Sequence, residues 1–271
     1  MSELSTGPVA SRCIRARTAA WATIALLAFF GFVASVGRGW SVLESVVLLD
    51  GPAPELSRLD EANIEILKRA FGLEKGSTVE TDLDEQNRRF LAKFNRHPVA
   101  TLLHVVPAAL FMILIPLQFS AAIRRRAIGW HRWAGRLIVV CTIPIGLSAF
   151  FFGLLMPFSG RLESAAIALF GTLFLFAVVR GFLAIRRRDI RAHREWMIRM
   201  AAVGLGVSLV RLAGIVLAIL TMEGPAVWFA ASNWIGFTLA VVAAELWIRR
   251  TRAAPVTRLA AAPAMKSPAP A

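Results

Sequence analysis

Cysteine is nearly absent: Cys13 and Cys141 are the only two in 271 residues. One precedes the first apolar run and the other lies inside the third, so they belong to different compartments and no disulfide framework is expected. A phosphate-binding glycine loop, a closely spaced metal-ligand motif and a serine nucleophile elbow are also missing, which leaves hydrolysis and group transfer without a sequence signature. Acids are scarce, 17 against 31 lysines and arginines. Glu245 alone falls inside an apolar run, and no half-span repeat is evident, so a proton-coupled pump is disfavoured.

Apolar sequence is what the chain has in abundance. Six runs, residues 19–36, 98–120, 134–156, 164–185, 196–220 and 226–248, each approach the roughly 20 residues that cross a bilayer core. Lipid offers no partner to backbone amides, so each run is expected to be a helix. The fold class is therefore all-α: a polytopic integral membrane bundle of six transmembrane helices, with an extracytoplasmic helical hairpin between the first and second spans. The chain divides into a basic cytoplasmic tail (1–18), an anchor helix (19–36), an extracytoplasmic segment (37–97), a five-helix membrane core (98–248) and a cytoplasmic tail (249–271). The Ala- and Pro-rich composition from Ala253 onward predicts disorder there. Arginines before the first run and small residues after it resemble a signal peptide, but the apolar stretch is longer than a signal core and reads as an uncleaved anchor.

Charge sets the orientation. Arg12, Arg15 and Arg17, Arg124 to Arg126, Arg186 to Arg188, and Arg249, Arg250 and Arg252 fall on alternate connections, and the acids of those segments are only Glu3, Asp189 and Glu195. The positive-inside rule then puts both termini in the cytoplasm. Topology accounts for the net charge of +14 without a nucleic-acid partner, and the same basic face would attract anionic lipid headgroups. Trp21, Trp130, Trp133, Trp196 and Trp247 at inner ends, with Trp40 and Trp228 at outer ones, support the layering.

Residues 37–97 hold most of the acids and carry two helical patterns, one through Leu59, Ile64, Leu67 and Phe71 and one through Leu83, Phe90, Leu91 and Phe94. Gly72, Gly76 and Ser77 mark the turn between them. Such a hairpin would lie over the outer ends of the bundle, as a lid or as a spacer.

Ionisable residues inside spans are expensive and are functional candidates by default. His104 lies roughly 9 Å below the outer boundary and Arg211 roughly 13 Å below it, at 1.5 Å per residue. With Asn233 of the sixth span they form a candidate outer polar site. His193 and Arg211 are 18 residues apart, five turns at 3.6 residues each, and share a face with Gly204 that should look into the bundle. An inner layer holds Gln118, His131, Arg132, Arg136, His193, Arg194 and Arg199; arginines at span ends, Arg136, Arg180 and Arg199 among them, are expected to snorkel. Pro107, Pro116 and Pro144 interrupt helices and free carbonyls one turn back.

Three blocks carry a resemblance to a family: His104 with Pro107 and Pro116-Leu117-Gln118-Phe119; His131-Arg132-Trp133-Ala134-Gly135-Arg136; and His193-Arg194-Glu195-Trp196-Met197-Ile198-Arg199 leading to Arg211. From about Phe94 to Arg211 the chain resembles the bacterial polytopic membrane proteins of the domain-of-unknown-function 2306 family. The resemblance implies a membrane-embedded core of several helices, in the bacterial cytoplasmic (inner) membrane, and brings no activity with it.

Two chemistries remain open from the residues themselves. Histidines at matching depth on separate helices suit a b-type haem electron carrier, with His131 and His193 as axial ligands to the iron and Arg132, Arg136, Arg194 and Arg199 as counter-charges to the propionates. The alternative is a small-anion or lipid transporter using Arg211, His104 and Asn233. A membrane assembly or scaffold protein without ligand is the third reading.

Overall fold

A computed structural model describes residues 8–46, 56–72 and 76–252, and the tail expected to be disordered lies outside them. The described residues form nine α-helices and one π-turn: α1 (Pro8–Val46), α2 (Arg58–Ala70), α3 (Thr78–Asn95), α4 (Pro98–Phe119), α5 (Ala121–Arg126), α6 (Ile128–Phe150) running into the π-turn Phe151–Leu155, α7 (Arg161–Arg186), α8 (Ile190–Thr221) and α9 (Pro225–Arg252). Six of these, α1, α4, α6, α7, α8 and α9, are long and apolar enough to cross a membrane.

The helices overrun the apolar runs. α1 begins at Pro8 and continues to Val46, because a proline is tolerated in the first turn and nothing that breaks a helix follows it. α8 begins at Ile190, where the Asp189 side chain caps the amide of Ala192 at 2.9 Å. A bilayer limits the length of the apolar stretch; it does not oblige the helix to end there.

Contacts between neighbours show an antiparallel, up-and-down bundle. Trp21 Nε1 donates to Pro116 O (3.1 Å) while Gly39 lies by Val105, tying α1 to α4. Gln118 Nε2 donates to His131 O (3.1 Å) at one end of α4 and α6, and His104 meets Ser148 near the other. α6 meets α7 through Gly146 and Leu175, α7 meets α8 through Gly181 and Met197, and α1 closes on α8 where Ser208 Oγ donates to Leu27 O at 2.7 Å. The core between them is formed by Phe111, Ile115, Ile138, Phe174, Ala177 and Met200, all nearly inaccessible. α9 packs outside this ring against α8 and α7.

Van der Waals packing at small residues supplies the association that the hydrophobic effect cannot supply in lipid. The tightest approach to backbone is at Gly236, where a Cβ would stand 2.4 Å from the backbone nitrogen of Val210. Backbone cannot swing aside as a side chain can. Gly236→Ala should therefore cost about 1 to 3 kcal/mol in detergent-unfolding titrations. An added methyl at Gly129 would meet nothing within 4 Å, so Gly129→Ala should change stability by less than about 0.5 kcal/mol. Equal effects would refute backbone contact as the cause.

The helical hairpin expected between the first two spans is α2 and α3. Ser57 and Asp60 make a reciprocal capping box, Gly76 adopts φ 83° in the turn, and Ser77 caps α3. Lys68 reaches Glu80 at 2.8 Å and Asp84 at 3.4 Å, and Arg88 bridges Asp84 and Glu61. The hydrogen bond to Glu80 raises the Lys68 pKa, and that bond with the Gly76 amide lowers the Glu80 pKa. Burial pushes Asp84 up, but the hydrogen bonds and charges of Arg88 and Lys68 outweigh it and leave its pKa lowered. Carboxylates with lowered folded-state values stabilise above their unfolded pKa and lose that contribution as pH falls through the folded value; Lys68 behaves oppositely at the alkaline end. Amide exchange in α2 and α3 should accelerate, relative to the spans, below about pH 4. Unchanged relative protection down to about pH 3 would contradict the pairing.

α3 is fastened across the bundle end. Lys93 Nζ lies 3.9 Å from the buried Glu163 carboxylate and donates to Phe152 O at 3.2 Å, while Phe90 packs on Phe158 and Phe229. Burial lowers the Lys93 pKa against the opposing pull of Glu163. The hairpin is thus a roof with contacts to several spans.

Candidate functional site

Three helix faces converge beneath that roof. On α1, Gly31, Ser35 and Arg38 follow one another at i, i+4 and i+7; on α8, Gly204, Ser208 and Arg211 do the same. A Cβ on Gly31 would strike Met112 and Ser208, and one on Gly204 would strike Phe111, so α1, α4 and α8 meet here through small residues. One turn toward the hairpin, Arg211 lies within electrostatic reach of both Arg38 and His104.

Asp60 descends from α2 into this junction with its side chain fully enclosed, 3.1 Å from Arg38 Nη1. Its Oδ2 accepts from Asn95 Nδ2 at 3.1 Å and from the Ser57 amide at 3.4 Å. Oδ1, although close to Arg38, accepts no well-directed hydrogen bond. Arg38 also lies over the Phe94 ring, 5.6 Å from its centre.

His104 is held by α6. Ser148 Oγ donates to Pro144 O, so the hydroxyl is left to accept from His104 Nδ1–H at 3.0 Å, with Ile145 O at 3.2 Å as a second acceptor. That network assigns the proton to Nδ1 and leaves Nε2 with its lone pair. Arg211 has no such arrangement: its Nη1 is shut off from solvent and has no hydrogen-bond partner. Asp60 pairs with Arg38, Arg38 lies within electrostatic reach of Arg211, and Arg211 within reach of His104, so this chain of groups brings two guanidinium groups and an imidazole against one carboxylate. An enclosed N–H of a charged group without an acceptor costs more than a neutral one.

Of the expected outer residues, His104 and Arg211 are brought together. Asn233 is buried on α9, but its Nδ2 donates to Phe229 O of its own helix at 2.8 Å, and none of its described hydrogen bonds reaches Arg211 or His104. Arg38, Asp60, Ser148 and the Lys93–Glu163 pair complete the region and were not singled out from sequence. The i, i+4, i+7 run of Gly31, Ser35 and Arg38 was the signal available for Arg38.

At the opposite end, His193 Nδ1 donates to Gly181 O at 2.9 Å, which leaves Nε2 free of its own tautomer's proton. His131 lies within electrostatic reach of His193, and its enclosed Nδ1 has no partner. Two of the surrounding arginines have protein partners. Arg199 grips Glu245 with both arms, Nε to Oε1 at 2.5 Å and Nη2 to Oε2 at 3.1 Å, and stacks over Trp196 at 4.6 Å. The one carboxylate within an apolar run thus already compensates the charge of Arg199. Arg194 donates to Thr251 Oγ1 at 2.9 Å, and Arg132 and Arg136 are exposed. Arg180 lies over Phe176 and Trp196. Ile115, Ile138 and Met200 fill the nearby interior. Among the described residues no group of three or more His, Cys, Asp or Glu is placed to hold a metal ion.

A family model described as predicted membrane protein, DUF2306, matches residues 101–248. The match takes in most of α4 and of α9 with everything between, extending the resemblance of the three sequence blocks past Arg211. No curated protein and no solved structure matches the chain. The chain belongs to the DUF2306 family of predicted membrane proteins.

Proposed function

We propose that this family member binds an anionic group in the chamber under the hairpin, with Arg211 as the principal donor and Arg38 and His104 as its neighbours. The observation that carries the reading is the enclosed, unpartnered Nη1 of Arg211. Asp60, the carboxylate that comes nearest to balancing the chamber, is already engaged by Arg38, Asn95 and its own helix cap. A small oxyanion or a lipid headgroup would supply acceptors to the guanidinium and cancel the excess charge. Within a region of low dielectric that compensation is strong. The function is accordingly the binding of such an anion. Adding sulfate or phosphate to detergent-purified protein should raise its melting temperature in a saturable way, since a ligand bound only by the folded state stabilises it. A response equal to that of chloride at matched ionic strength would remove the reading.

The same proposal sets the hairpin outside and both termini in the cytoplasm of the inner membrane, on the positive-inside distribution of the connections. Reporter fusions after Leu91 and after Arg250 should then report opposite sides. Both on one side would overturn the orientation.

A second reading attaches to the inner histidines. His193 with Nδ1 fixed by Gly181 O and His131 with an unpartnered nitrogen are the residues that would hold haem b between α8 and α6. Bound haem would supply one-electron transfer. The pairing of Arg199 with Glu245 and the filled interior favour the anion reading over it. Reduced-minus-oxidised absorption spectra of the purified protein distinguish them, and His193→Ala should abolish any b-type band.

A further inference from the structure

Two enclosed polar atoms beneath the hairpin lack a directed partner, and they are complementary. Arg211 Nη1 is a donor without an acceptor, and Asp60 Oδ1 is an acceptor without a well-directed donor. Arg38 stands between them, paired with Asp60 and within electrostatic reach of Arg211. A guanidinium presents a fork of donors, so this one arginine can serve either of two anions.

Asp60 holds Arg38 loosely. The contact runs through Nη1 alone, 3.1 Å from Oδ1 and 3.4 Å from Oδ2, whereas Arg88 meets Glu61 with two arms at 2.6 and 2.8 Å. The strong arginine–carboxylate pairs are short and bidentate. The other donors to Asp60 are neutral: the Ser57 amide at 3.4 Å and Asn95 Nδ2 at 3.1 Å, both on Oδ2. Arg38 is therefore its only charged partner among the described residues.

α2 has little else tying it to the spans. Leu59 lies beside Gly37, and the Arg58–Glu44 pair at 3.8 Å uses an arginine that is 88% exposed, a weak surface contact. α3 is fastened separately, by Lys93 to Phe152 O and by Phe90 to Phe229. The movable part of the roof is α2.

We propose that Asp60 is a tethered occupant of the anion site and that α2 is its gate. With the site empty, Asp60 keeps Arg38 at the hairpin. An anion arriving at Arg211 draws Arg38 across to share it, and the enclosed carboxylate, deprived of its counter-charge, cannot stay dry. α2 then lifts until Asp60 is hydrated. This device rests on the anion reading of Arg211 and adds its regulation, since the internal carboxylate sets the anion concentration at which the roof opens.

Hydrogen–deuterium exchange of the full chain in detergent, in sulfate and in chloride at matched ionic strength, tests the gate in the wild type. In saturating sulfate the α2 amides should exchange about tenfold faster than in chloride while those of α3 keep their rates, even as the melting temperature rises. Asp60→Asn keeps an acceptor for Ser57 and Asn95 but not the charge. It should bind sulfate at about tenfold lower half-saturating concentration and lose the sulfate-dependent acceleration. Asp82→Asn, on the exposed side of α3, should match the wild type. A melting temperature that rises with sulfate while α2 exchange stays unchanged or slows would overturn the gate and leave the anion site standing, as would an unchanged half-saturation in Asp60→Asn. A melting response no different from that to chloride would remove the anion site and the gate with it. If Asp60→Asn does not fold, the wild-type exchange decides alone.

Discussion

Asp60→Ala is expected to destabilise the protein by about 3 to 5 kcal/mol, the cost of removing one member of an enclosed ion pair and leaving the other charged and unpaired. The carboxylate is fully enclosed, Arg38 is only 20% exposed, and Asn95 and the capping box of α2 depend on the same group. The loss should therefore appear in two ways. Detergent-unfolding titrations should show the free-energy decrease, and limited proteolysis should cut between α1 and α3 well before the spans are attacked. Asp82 lies on the exposed side of α3, so Asp82→Ala should stay within about 0.5 kcal/mol of the wild type. If Asp60→Ala behaved like Asp82→Ala, the roof would not be anchored through Arg38.

Arg211→Leu should act in the opposite sense on stability and abolish function. Its guanidinium holds an enclosed donor without an acceptor, a burden of about 1 to 3 kcal/mol that an apolar side chain of comparable volume removes. Without added anion the variant should be at least as stable as the wild type and up to that much more so. With added sulfate or phosphate the wild-type stabilisation should vanish. Arg180→Leu, which removes an exposed guanidinium lying over Trp196 and Phe176, should leave the anion response intact. A destabilised Arg211→Leu protein would mean that the side chain has a structural partner, and the chamber would then be packing and not a binding site.

The positions of the spans were legible because a bilayer leaves a chain few choices: its backbone must bond to itself over about 20 apolar residues. Helix ends were not, since α1 and α8 continue into water where caps, not lipid, decide the boundary. The hairpin was readable from its apolar spacing and turn residues, and its capping box was present in Ser57 and Asp60. Arg211 and His104 stood out as isolated ionisable groups in apolar surroundings. Arg38 and Asp60 did not, because both sit in a segment already rich in charge, where nothing local separates an enclosed carboxylate from a solvated one. Lys93 was hidden for the same reason. Asn233 was misleading in another way: an amide in any helix can satisfy itself on the carbonyl four residues back. Arg199 illustrates the limit of reading one helix at a time, since its partner Glu245 lies 46 residues away on α9.

The position of the anion itself decides the central claim. Crystals of the protein soaked in selenate, with diffraction recorded at the selenium edge, should show an anomalous peak within hydrogen-bonding distance of the Arg211 guanidinium, beneath α2 and α3, and no such peak in Arg211→Leu. A chamber without selenate, with Arg211 bonded to a protein acceptor or turned out toward lipid, would contradict the account.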